Sequence, residues 1–177
     1  MKQTITLIGM SGVGKTSLSK HVSKTLQSGQ IDTDAILRKN LKMSFPLFIQ
    51  QNGEDKFLEE EERAICGLSF ELPTLIATGG SCVYSKKAMA HLQSISHIIY
   101  LKDSIENIKS RIENYENRGV IGLANKSVEE VHKERLSLYS VYANSVFDIG
   151  SPYNFYQVAT RLELHIKTLN QEIIPTS

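Results

Sequence analysis

Short apolar runs alternate along the chain with longer stretches of helical period, an alternation that predicts parallel strands joined by crossover helices. "TITLIGM" (4–10) reads as a buried first strand, after which Leu18, Val22 and Leu26 recur every four residues as the apolar stripe of a helix. "GQID" (29–32) predicts a short second strand. Residues 33–70 read as mostly helical, interrupted by "SFP" at 44–46 and "NG" at 52–53. "PTLIATGG" (73–80), "HIIYL" (97–101) and "SVFDIG" (145–150) predict strands three to five, with helices over 85–94, 104–116, 128–144 and 153–170. The stretch "NYENRGVIGLANKS" (114–127) is polar, glycine-containing and without period, which predicts a lid over about 112–126. One α/β domain over 1–177 is the expected organisation.

Composition narrows the class without naming the chemistry. A net charge of +1 over 177 residues gives no bulk attraction for nucleic acid. Cys66 and Cys82 are too few and too isolated for a disulfide framework or a zinc site, so reduced thiols in the cytoplasm are expected. The amino terminus runs straight into the first strand, which predicts no signal peptide, and no run reaches membrane-spanning length.

"GMSGVGKTS" (9–17) bends a predicted strand into a predicted helix and fits G-x-x-x-x-G-K-[ST]. Glycines let successive backbone N–H groups turn toward phosphate oxygens, and the new helix adds its positive end. Lys15 then reaches the β- and γ-phosphates while the Thr16 hydroxyl is a ligand for Mg²⁺. A switch GTPase would read guanine through Asn-Lys-x-Asp; "NKSV" at 125–128 lacks the aspartate, and that reading fails. "DTD" (32–34) follows the second strand, at the sheet end where ligands bind in this architecture. Asp32 suits a magnesium held through water, and Asp34 suits a base for an attacking hydroxyl. A helix cap is the plainer reading of the same residues.

With these residues in this order, the chain resembles the shikimate kinase family, P-loop small-molecule kinases related in fold to nucleoside monophosphate kinases. "NGEDKFLEEEERAI" (52–65) is similar to the family's Gly-Glu-x-x-Phe-Arg-x-x-Glu segment, and "IATGG" (76–80) to its triple-glycine turn. "ERLSLYSVYA" (134–143) is similar to its substrate-arginine helix. The resemblance implies a three-layer α/β/α fold with a five-stranded parallel sheet in the order 2-3-1-4-5. It implies ATP-dependent phosphoryl transfer with Mg²⁺ to a hydroxyl of a small hydroxylated carboxylate, in aromatic amino acid biosynthesis. Gly12, Val13, Gly14, Lys15, Thr16 and Ser17 would hold ATP, with Thr16 and Asp32 on the metal. Arg111 would lie near the adenine, and Arg118 would close from the lid onto the transferring group. Asp34, Gly79, Gly80 and Arg135 would bind the acceptor, Asp34 as the base and Arg135 on its carboxylate. A monomer without membrane or nucleic-acid partners is expected. The glutamate run 59–62 reads as a solvated helix face with no chemistry.

Three positions depart from the family pattern, all on the acceptor side. Leu58 stands where the family has an arginine expected to pair with the acceptor carboxylate. Arg63 and Lys56 lie about 140° and 160° from Leu58 around a helix and cannot replace it; Arg38 is undecided by sequence. Ser81 replaces the third glycine, which means strain if the backbone there has positive φ and an altered pocket if it does not. Gly119 stands where the family's lid has proline after Arg118, so a looser hinge is expected. Two alternatives stay open: a nucleotide or nucleoside kinase, and an ATP-binding P-loop module of weak activity.

Overall fold

The computed structural model describes residues 1–111, 119–123 and 125–171. Strands β1 (Ile5–Ile8), β2 (Gly29–Asp32), β3 (Thr74–Ala77), β4 (His97–Lys102) and β5 (Ser145–Asp148) form one parallel sheet in the order β2-β3-β1-β4-β5. The order is the one the resemblance implied. Register places Ile5 of β1 between Leu75 of β3 and His97 of β4. Every residue of β1 and β3 is buried, while the edge strand β2 is only half-buried. Helices on both faces remove the central strands from water, which is why their sequence is almost unbroken in apolar residues.

Alternation along β1 sends Ile5 and Leu7 to one face and Ile8 to the other. On the first face, α1 (Lys15–Thr25) contributes Leu18 and Val22, and α8 (Phe155–Gln171) contributes Leu162 and Ile166. On the second, α4 (Glu54–Cys66), α5 (Lys86–Ile95) and α7 (Val128–Tyr142) bring Ile65, Met89 and Tyr139 to Ile8, Ile98 and Tyr100. Each such aliphatic side chain contributes about 2 kcal/mol by leaving water. A third cluster joins Leu37 of α2 (Thr33–Leu41), Phe45 and Phe48 of α3 (Phe45–Asn52), Phe57 of α4 and Ile121.

The long helical stretch thus splits into α2, α3 and α4, with Ser44 before α3 and Gly53 before α4. Helix α6 (Ile105–Ser110) is shorter than the expected 104–116; residues 112–116 lie outside the described residues. A 3₁₀ turn at Cys82–Tyr84, not expected from the sequence, carries the chain from β3 toward α5. Ser127 caps α7 through a capping box with Glu130, which fixes the helix start. Among the described residues no helix is long and apolar enough to cross a membrane.

Gly119, expected to loosen a hinge, also stands at a close contact between chain segments. Its φ is +62°, and a Cβ there would lie 2.8 Å from the Phe45 Cβ. Proline cannot reach that φ, and any side chain would strike α3, so glycine serves a close approach of chain to chain. Gly122 then donates its N–H to Glu54 Oε1 at 2.8 Å, tying the same segment to the start of α4.

Candidate active site

The carboxyl ends of β1, β2 and β3 deliver residues 9–14, 32–34 and 78–81 to one edge of the sheet. A cleft of about 300 Å³ opens there, lined by Ser11, Gly12, Gly14, Lys15, Thr16, Ser17, Asp34, Thr78, Gly80, Arg111 and Tyr153. Gly9 is packed so tightly that a Cβ would sit 2.7 Å from the Leu101 carbonyl oxygen, at a φ of +143°. Val13 is turned inward, its side chain in the core. Lys15 Nζ donates to the carbonyls of Gly9 (2.6 Å) and Met10 (3.0 Å). Burial pulls the Lys15 ammonium down to about 8, with Asp34 opposing the shift.

Thr16 Oγ1 donates to Asp32 Oδ2 at 2.7 Å, so the two expected metal residues are already neighbours. Asp32 also caps α2 through Ala35 N–H at 3.0 Å, so the plainer cap reading holds and leaves Oδ2 on Thr16. A hydroxyl and one carboxylate are hard oxygen donors suited to magnesium, which keeps much of its water shell. The described residues contain no group of three or more His, Cys, Asp or Glu that could hold a metal by themselves. Burial raises the Asp34 carboxyl above its ordinary value, and Lys15 opposes that rise.

Arg135 is 1% exposed. Its Nη2 donates to the Ile121 carbonyl at 2.7 Å, Nε donates to the Tyr84 hydroxyl at 3.3 Å, and Nη1 faces Gly80. One turn on, Tyr139 donates its hydroxyl to the Gly80 carbonyl at 2.7 Å and stacks on Tyr100. The Gly79 N–H donates to Thr33 Oγ1 at 3.2 Å. Ser81 has a φ of −91°, so serine is unstrained there. Its hydroxyl interacts with the carboxyl of Glu61.

Leu58 does not line the cleft around the phosphate loop. It packs against the cluster of Phe45, Phe57 and Ile121, and the Arg38 charge nearby acts on Asp34. Arg63 pairs with Glu60 and Lys56 with Glu59 at the surface, while Arg38 lies 4.8 Å over the Phe45 ring. Arg118 lies outside the described residues. Arg111 is on the rim, paired with the buried Asp103 and 4.4 Å over the Tyr153 ring. Cys82 is buried and its thiol is pushed up to about 12 by that burial, which makes it inert.

A family model described as shikimate kinase matches residues 11–166. The chain belongs to the shikimate kinase family. Curated relatives include the shikimate kinase of Dictyoglomus turgidum, 29% identical over 155 residues, which span 85% of this chain and 90% of that one. The shikimate kinase of Clostridium botulinum (strain ATCC 19397 / Type A) is 32% identical over 140 residues, 77% of this chain and 82% of that one. In fold, the chain is similar to the shikimate kinase of Acinetobacter baumannii in complex with shikimate, with a TM-score of 0.84, 22% identity and coverage of 97% and 94%. As a shikimate kinase-like enzyme, the protein transfers a phosphoryl group from ATP to a hydroxyl of a small molecule.

The family segment also corrects the reading of the glutamate run. Glu61, its last position, is 3% exposed rather than solvated. Helical period explains this, since Phe57, Glu61, Ala64 and Ile65 form one buried stripe of α4. A charged residue on the stripe begun by Phe57 was the available signal. Burial raises the Glu61 carboxyl to about 7, and the nearby Asp34 adds to the rise. Tyr153 was missed as well; it stands in an aperiodic loop and carries no such signal.

The Glu61 shift has a sign that can be tested. Folded chains hold this proton up to about pH 7, whereas the unfolded carboxyl loses it near 4.5. Stability therefore falls as pH rises through that window, by about 3 kcal/mol in all. Glu61→Gln should leave stability unchanged at pH 4 and raise it at pH 8, read from urea unfolding at both values. A variant less stable than wild type at pH 8 contradicts the assignment.

Proposed function

We propose that the acceptor is a hydroxylated carboxylate, shikimate or a close relative, and that the enzyme works with Mg²⁺ as a cytoplasmic monomer in aromatic amino acid biosynthesis. The observation that carries the acceptor class is the buried Arg135 guanidinium facing Gly80, a residue that lines the same cleft as Lys15 and Asp34. Planar guanidinium matches carboxylate geometry, which suits Arg135 to hold the acceptor's acid group. Asp34 accepts the proton of the attacking hydroxyl as its oxygen forms the new bond to phosphorus and the bond to ADP breaks. Lys15 and the backbone amides of residues 12–17 gather the charge on the phosphates. Thr16 and Asp32 would hold the magnesium through its waters, and the ion would neutralise charge between the phosphates. Arg111 and Tyr153 on the rim suit the flat face of adenine, and Arg118 would close from the lid, a segment taken as about 112–126.

Because burial raises the Asp34 carboxyl, activity at low pH should rise as that group ionises. Steady-state assays with ATP and Mg²⁺ against shikimate, other hydroxy acids, polyols and nucleosides test the reading. Turnover of nucleosides alone, or of nothing, refutes it. Leu58→Arg puts a cation where the family pattern has one and should lower the shikimate KM about tenfold or more, the worth of one charge-assisted hydrogen bond. An unmoved KM means that the acceptor does not approach α4 at position 58.

A further inference from the structure

We propose that Tyr84 is a positioning residue: its hydroxyl, bridging the Glu134 carboxylate and Arg135 Nε, aims the Arg135 guanidinium at the acceptor's acid group. The inference rests on the acceptor class just proposed and says what fixes the direction of that grip.

A guanidinium is a flat group of donors, so the partners around it decide which of its corners meets a ligand. Arg135 Nη2 donates to the Ile121 carbonyl at 2.7 Å and Nε donates to the Tyr84 hydroxyl at 3.3 Å. With those two corners held, Nη1 is turned toward Gly80, where a Cβ would meet it at 3.1 Å. The centroid of the Tyr84 ring lies 5.1 Å from Arg135 Cζ, so cation–π attraction adds a third hold. Glu134, next to Arg135 in sequence, takes the other side of the same hydroxyl. Its carboxyl is held below the ordinary value chiefly by Lys126, and also by its hydrogen bond with Tyr84. A carboxylate only accepts and a guanidinium only donates, so the Tyr84 O–H points to Glu134 and its lone pair to Arg135. Hydrogen bonds chained in this way strengthen one another.

Tyr84 is itself firmly placed. It ends the 3₁₀ turn Cys82–Tyr84, its N–H donating to the Ser81 carbonyl at 2.9 Å, and the two residues before it are buried. Ser85, which follows, caps α5 through Ala88 N–H at 3.0 Å and donates its hydroxyl to Glu62 Oε2 at 2.6 Å. The Tyr84 ring packs on the cluster of Phe45, Phe57 and Ile121, as does Leu58. Because Leu58 stands where the family pattern has a second arginine, recognition of the acid group falls to Arg135 and depends on its aim. Tyr84 does not line the cleft around the phosphate loop, so its effect on the substrate passes through Arg135.

Kinetics with shikimate and with its carboxamide, which keeps the ring hydroxyls without the negative charge, test the assignment. Tyr84→Phe retains the ring and its packing and removes the hydroxyl. It should raise the shikimate KM about tenfold, the worth of one hydrogen bond to a charged group, and leave the carboxamide KM, the ATP KM and kcat within about twofold. In an Arg135→Met background the same change should move the shikimate KM less than about twofold, because the two residues act as one unit. Equal rises for both acceptors mean a merely structural role and overturn the inference, as does a shikimate KM unmoved in Tyr84→Phe. Where Arg135→Met does not fold, the split between the two acceptors in Tyr84→Phe decides alone. Wild type that phosphorylates no hydroxy acid, or an Arg135→Met enzyme with an unchanged shikimate KM, refutes the carboxylate reading itself, and the role of Tyr84 falls with it.

Discussion

Lys15→Met is expected to reduce kcat/KM by about a thousandfold, because the ammonium is a preorganised cation aimed at charge that grows on the transferring phosphoryl group. The same change should not weaken the fold. Burial holds the folded pKa near 8, below the value of 10.5 for a free lysine, so the folded chain binds fewer protons than the unfolded chain between those values. Stability rises as pH climbs through that window, and below it the charged ammonium costs about 3 kcal/mol. Methionine removes that cost while filling a similar volume, so the unfolding temperature at pH 7 should stay level or rise. Thermal stabilisation by a non-hydrolysable ATP analogue should largely vanish. Transfer within tenfold of wild type contradicts the role. In wild type the low pKa also predicts that ATP affinity declines as pH passes about 8, well before an ordinary lysine would lose its charge.

The donor half of the site was legible because its information is local. Nine consecutive residues specify a strand end, a backbone curl and a helix start, and no distant contact is needed to interpret them. Asp32 and Asp34 were legible for the same reason once the second strand was placed. The acceptor half is assembled from four elements, and its meaning depends on which residues of each face inward. Glu61 shows the difficulty: three of its charged neighbours are solvated, and only the helical phase set by Phe57 and Ile65 separates it from them. Arg135 had the same kind of signal, standing between Val131 and Tyr139 on the buried stripe of α7. Gly119 was legible as a departure but not in its cause, since the approach of Phe45 comes from a helix more than seventy residues earlier in the chain.

Such convergence also explains why the site is strained electrostatically. Two carboxyls with raised pKa values and a lysine with a lowered one share a small volume, each held away from its ordinary ionisation by loss of water. Binding sites of this kind trade stability for function, and each group is relieved when its partner on the substrate arrives. In the proposed reading Lys15 is matched by phosphate, Asp34 by the reacting hydroxyl and Arg135 by a carboxylate.

Gly79→Ala isolates that acceptor half. No unusual backbone angle is required of Gly79, so alanine brings only a methyl group, placed 2.1 Å from Glu61 Oε1 and 2.7 Å from Asp34 Oδ1. Neither contact is tolerable, and both carboxyls must move by about an ångström, a displacement that costs on the order of a hundredfold when it affects a reacting group. Acceptor kcat/KM should therefore fall about a hundredfold or more. Stabilisation by the ATP analogue should persist, because the loop at 9–17 makes no use of Gly79. Gly80→Ala is the milder companion: its methyl would meet Ser11 Oγ at 3.0 Å and Arg135 Nη1 at 3.1 Å, distances that a shift of a few tenths of an ångström relieves. A Gly79→Ala enzyme with acceptor kinetics near wild type would mean that Asp34 can leave Gly79 without loss, and that the base belongs elsewhere.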